Sequence, residues 1–136
     1  MRKSVLLSAL IAAMASLPVF ANPLPIGKYS VRSGVSAGSC NTLVSTSTNT
    51  AGLILRNLVL ENFGGPNQTQ TILVIDTTAP SNFTSITGNG TQHFLAIVYF
   101  GGPFNDAAQY EIPAGYGLFA CANGPGAATI SYDLLQ

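Results

Sequence analysis

Gly34-Val35-Ser36-Ala37-Gly38 has the G-x-S-x-G spacing of a nucleophile elbow, and Asp76 and His93 follow it in the chain order of a serine hydrolase triad. The chemistry of such a set is acyl transfer, in which an oriented histidine takes the proton of the attacking hydroxyl. It requires a strand that feeds a sharp turn into a helix and lifts the serine above a sheet. Here the pattern runs on into Ser39-Cys40-Asn41 and a Ser/Thr-rich stretch, with no helical stripe behind it. A chance match in a chain rich in small residues is the expectation. A small secreted hydrolase using Ser36 or His93 is the alternative.

The remaining titratable groups are sparse. His93 is the single histidine and sits at the start of an apolar run, where a ring at a strand end serves as a hydrogen-bonding surface group. Glu61, Asp76, Asp106, Glu111 and Asp133 are isolated from one another, so a glycosidase pair would have to arise through folding alone. Asn105-Asp106 could offer oxygen ligands to calcium, but the chain has no EF-hand pattern, and Asn-Asp is foremost a turn former. Cys40 and Cys121 with His93 are an incomplete set for structural zinc. No cofactor is expected. The residues that could make contacts rather than break bonds are Asn105, Asp106, Tyr110 and Tyr116, since aromatic faces beside amides and carboxylates suit a sugar-binding cleft. Tyr110 and Tyr116 flank the Pro113-Ala114-Gly115 turn and are expected at the surface, whereas Tyr132 is expected in the core. Three N-x-S/T sequons begin at Asn67, Asn82 and Asn89; in so Asn- and Thr-rich a chain they are read as loop and strand surface.

The elements that must position these residues are strands. Ala128, Ile130, Tyr132 and Leu134 alternate with Thr129, Ser131 and Asp133, the period of a half-buried strand. Leu53 to Leu60, Thr71 to Ile75 and Phe94 to Phe100 are apolar on both faces, which predicts central strands or strands covered by a partner. Weaker candidates span residues 27–32, 42–47, 82–87, 109–112 and 117–122. Turn chemistry recurs at Gly64-Gly65-Pro66, Gly88-Asn89-Gly90, Gly101-Gly102-Pro103 and Gly124-Pro125-Gly126. Phe63-Gly64-Gly65-Pro66 echoes Phe100-Gly101-Gly102-Pro103. The two loops could share a site, though reuse of one turn solution explains four residues as well. Short strands at this spacing predict an all-β antiparallel sandwich of jelly-roll type.

Residues 1–21 read as a cleavable signal peptide. Arg2 and Lys3 precede the apolar stretch Val5 to Ala15, and Val19-Phe20-Ala21 places small residues where a signal peptidase acts. That stretch is too short and too interrupted for a membrane span. The expected mature chain is residues 22–136, exported to the periplasm or beyond, with no further span. An even pair of cysteines in an exported chain predicts a Cys40–Cys121 disulfide. Only 7% of the 136 residues are charged, and the mature part holds just Lys28, Arg32 and Arg56 as cations. No basic stripe exists to neutralise phosphates, which argues against a nucleic-acid partner and against electrostatic attachment to lipid.

Ile112-Pro113-Ala114-Gly115-Tyr116-Gly117-Leu118-Phe119 and Gly126-Ala127-Ala128-Thr129-Ile130-Ser131-Tyr132-Asp133 resemble the last hairpin of small jelly-roll modules in bacteriophage virion and receptor-binding proteins. Asn49-Thr50-Ala51-Gly52-Leu53-Ile54-Leu55-Arg56 is similar to a middle strand of such modules. The resemblance covers roughly a quarter of the chain. It implies a non-enzymatic structural or binding module, often a homo-oligomer. A glycan-binding lectin or adhesin at a cell surface is the alternative within binding.

Overall fold

Apolar side chains at every second position recur along most of the chain, and each such run pairs with another run rather than coiling. The computed structural model describes residues 27–65, 69–99, 103–107 and 109–136. The expected leader and cleavage site, Asn67 and most of the second Gly-Gly-Pro turn lie outside them. The strands are β1 (Tyr29–Val35), β2 (Ser39–Val44), β3 (Leu53–Asn62), β4 (Gln70–Asp76), β5 (His93–Tyr99), β6 (Phe104–Asp106), β7 (Tyr110–Ile112), β8 (Gly117–Ala122) and β9 (Gly126–Leu134). Residues 82–87 are not the strand expected of them. They hold a 3-10 turn, Phe83–Ser85, because the Asn82 side chain accepts from Ser85 N and caps it.

All pairings are antiparallel. One sheet runs β1-β9-β3-β6, with β7 also on β3, and the other runs β2-β8-β4-β5. Strands β6 and β7 are two pieces of one edge strand, facing Leu58 to Leu60 and Leu53 to Leu55 of β3. Counted so, the two four-stranded sheets have the interleaved order of a jelly roll, and the chain passes from sheet to sheet after β1, β2, β3, β5, β7 and β8.

The main core lies between the two sheets. Leu53, Leu55, Leu58 and Leu60 of β3 and Ile130 of β9 are buried together with Leu118, Ala120 and Ala122 of β8, Leu73 of β4 and Val98 of β5. Tyr132 joins this core, as its alternation requires. A bulge between Leu55 and Asn57 keeps both halves of β3 facing inward. The two sheets are tied directly where Thr71 Oγ1 of β4 donates to the Glu61 carbonyl of β3 at 3.0 Å. A Cβ on Gly126 would stand 2.2 Å from that hydroxyl, so only glycine fits.

Strand β8 is buried along its whole length, on both faces. Its outward residues Phe119 and Cys121 form a second apolar cluster with Ile72 and Val74 of β4, covered by Phe83 and Ile86 from the β4–β5 loop. Cys40 and Cys121 face each other across β2 and β8 and form the expected disulfide, closing a separation of 81 residues.

Asp76 anchors the covering loop. Its Oδ1 accepts from Thr77 N at 2.7 Å and Thr91 Oγ1 at 2.7 Å, and its Oδ2 from Gln92 Nε2 at 3.2 Å. Gln92 in turn accepts from Thr87 N and Gly88 N. Burial pushes the Asp76 carboxyl up, but the hydrogen bonds from Thr91, Thr77, Thr78 and Gln92 together hold it below the ordinary carboxylate value. A group depressed on folding contributes stability above its unfolded pKa, and this is lost as the pH falls through the folded value. The protection factors of the amides of residues 77–92, each taken against its intrinsic exchange rate at the same pH, should therefore fall on acidification from about pH 5 to about pH 3, ahead of those of the β3 and β9 amides. Asp76→Asn should show the same low protection already at neutral pH.

Candidate functional site

The elbow-like residues do not converge. Ser36 lies in the β1–β2 turn, next to where Ser39 pairs with Ala122. Asp76 pairs with Gly117 at the other end of β8, and His93 pairs with Ile75 beside it. Gly117 and Ala122 are five positions apart, roughly 17 Å of strand. The Ser36 carbonyl is held by Ser39, the Asp76 oxygens belong to its loop, and the His93 ring lies 6.4 Å from that of Tyr116. Ser36 has neither a base nor a helix behind it, so the set cannot perform acyl transfer.

The four predicted contact residues are divided. Asp106 and Tyr110 are joined by a hydrogen bond from the phenol to the carboxylate, which spans the break between β6 and β7. That bond first, and burial second, raises the Tyr110 pKa. Asn105 is exposed and pairs with Val59 on the outer side of the sheet, opposite in sense to its neighbour. Tyr116 lies at the far end of the sandwich, in the loop after β7. Tyr110 and Tyr116 are half-buried, contrary to the expectation that both are surface groups, because their side chains pack against the hydrophobic core. The four do not make one cleft.

Of the two Phe-Gly-Gly-Pro segments, residues 66 and 100–102 lie outside the described residues, but the strands that lead into both end on the same side of the sandwich. Strand β3 stops at Asn62 opposite Gly126, and Tyr99 at the end of β5 pairs with Gln70 at the start of β4. The described part of the first turn is tied by Asn62, whose Oδ1 accepts from Gly64 N and Thr69 Oγ1.

Two surfaces remain that the sequence did not single out as sites. The first is the outer face of β5. It is an edge strand, where the expectation was a central strand or one covered by a partner, and it leaves Phe94 46%, Ile97 37% and Tyr99 61% exposed. Apolarity on both faces was the available signal, and it holds for half of β5: Ala96 and Val98 point into the core while Ile97 and Tyr99 point out. The second is a depression of about 190 Å³ on the outer face of the other sheet, lined by Ser30, Asn57, Val59, Thr129 and Ser131. These residues lie on three strands in register, Ser30 beside Ser131 beside Asn57, and Thr129 beside Val59. Their outward alternation was readable, but not which strands stand side by side.

No protein-family model matches the chain, and no curated protein matches it in sequence. Among solved structures, a pentameric capsid protein isolated from metagenomic phage sequences is similar over 94% of this chain and 91% of that one, with 14% identity and a TM-score of 0.41. The Yersinia pseudotuberculosis-derived mitogen is similar over 79% of this chain and 86% of that one, with 12% identity and a TM-score of 0.36.

Proposed function

We propose that this chain is an exported, disulfide-closed jelly-roll module that acts by binding rather than catalysis, and that β5 is the edge on which a second copy of the chain docks. The observation that carries this is the undefended character of β5. Natural sheets blunt their edges with charge or by breaking the strand. The β1 edge carries Arg32, the β6–β7 edge is broken and carries Asp106 and Glu111, and the β2 edge, though uncharged, is polar at Ser39, Asn41 and Thr42 and leaves no large apolar side chain exposed. Strand β5 carries no charged residue at all, and three large apolar side chains stand on its outer face.

A bulge at Leu95 leaves Ala96–Tyr99 as the regular stretch. Two such stretches, antiparallel about a two-fold axis, would extend the sheet across both copies and bring Ile97 and Tyr99 of one against those of the other. The bridge of Cys40 to Cys121 fits an oxidising compartment. Protein recovered from the export compartment should begin at Asn22 and sediment as a dimer, and Ile97→Lys with Tyr99→Lys should convert it to a monomer of unchanged melting behaviour at dilution. A wild-type chain that sediments as a monomer at every concentration reached removes the β5 interface.

A further inference from the structure

We propose that the depression on the outer face of the β1-β9-β3 sheet is a binding subsite for a neutral polyhydroxylated unit, of the size of one sugar residue, held by Asn57 with Ser30, Thr129 and Ser131. It lies on the other sheet from β5 and stands independently of the docking proposed there.

The observation that points to a ligand is an amide with an unmet requirement. Three buried side-chain atoms lack a hydrogen-bond partner among the described residues: Asn49 Oδ1, Asn57 Oδ1 and Asn62 Nδ2. Two of these amides have a structural task at their other end. Asn49 Nδ2 donates to the Pro113 and Tyr116 carbonyls at 2.8 Å each, and Asn62 Oδ1 ties the β3–β4 turn. Asn57 has no such tie, and it lines the depression. A buried amide oxygen without a partner is costly, and native folds leave few of them. No described residue completes Asn57, and a hydroxyl entering the hollow would meet its amide, whose oxygen and nitrogen exchange places by a half-turn about the last side-chain bond.

The lining says what that partner is. Ser30, Thr129 and Ser131 bring hydroxyls to the same hollow, and Val59 brings an apolar side chain. Hydroxyl groups with a C–H face between them match this lining. A hydroxyl both donates and accepts, so it satisfies the asparagine amide in either orientation. An ion is disfavoured, because the charges that flank the hollow are already paired: Arg32 with Glu61 at 3.2 Å, and Arg56 with Asp133 at 2.8 Å. With their fields cancelled locally, a neutral ligand loses no charge hydration on entry.

The test is a chemical-shift titration of the folded, ¹⁵N-labelled chain with glycerol, glucose, galactose and N-acetylglucosamine in turn. At least one sugar should move the amides of Ser30, Asn57, Val59, Thr129 and Ser131 and leave those of β5 unmoved. Asn57→Leu should weaken that binding about tenfold, the loss of one hydrogen bond. Because it replaces an unsatisfied amide, it should fold at least as stably as wild type. Thr129→Val, of nearly the same shape, should weaken binding without altering the fold. No localised shifts with any of the four, or equal binding by wild type and Asn57→Leu, overturns the proposal.

Discussion

Replacing both cysteines, Cys40→Ala with Cys121→Ala, should lower the unfolding free energy by about 4 kcal/mol and the melting temperature by about 15 °C. The bridge joins positions 81 apart, so in the unfolded chain it removes the freedom of more than half of the described residues. In the folded chain it changes little, because Cys40 and Cys121 are already opposite each other on paired strands. The effect therefore belongs to the unfolded ensemble, and it has a second signature. Denaturant unfolding of the variant should show a steeper slope as well as an earlier midpoint, since an unbridged chain exposes more surface. Wild type unfolded in excess thiol should match the variant. A loss under about 1 kcal/mol, or an unchanged slope, would show that the bridge does not act by restricting the unfolded chain.

How far the sequence determines this fold depends on which kind of contact is asked about. The inward face of β9 follows from alternation, because Ala128, Ile130 and Tyr132 obey a period of two that burial enforces; on β3 that period holds within Leu53–Leu55 and within Leu58–Leu60 but slips by one residue at the bulge between them, which the run of apolar residues on both faces did not reveal. The disulfide follows from there being only two cysteines. Phe83 and Ile86 give segment 82–87 the apolar spacing of a strand, yet they are half-buried parts of a loop that lays them down on the outer face of β4 and β8. Periodicity reports that a side chain is buried and not which layer buries it. The same gap hid the candidate sites. Asn57 and Ser131 are adjacent only because β9 lies between β1 and β3, a neighbourhood made by residues more than 70 positions apart. Ser36, Asp76 and His93 show the converse: hydrolase order along the chain, and opposite ends of a strand in space.

The second large effect lies in that outer layer. Phe119 points away from the inter-sheet core, a position that in a sandwich with bare outer faces would tolerate alanine. Here its side chain is 2% exposed, packed with Ile72, Val74 and Cys121 under Phe83 and Ile86. Its ring also lies over Gly117, where a Cβ would come within 2.5 Å of it. Phe119→Ala should cost about 3 to 5 kcal/mol, the range for a buried aromatic that leaves a cavity. The loss should be uneven as well. The loop is held at its ends by Asp76 and Gln92 and by Phe83 N donating to the Gly38 carbonyl, so with its apolar footing gone the amides of residues 83–88 should lose protection first. Ile97 gives the matched comparison, since it stands on the same face of the same sheet and no loop covers it. Ile97→Ala, measured on dilute monomer, should cost no more than about 0.5 kcal/mol. Equal costs at the two positions would mean that the loop does not seal Phe119 from water. A wide gap between them would show that one half of this face is finished by the chain itself and the other half is left bare for a partner.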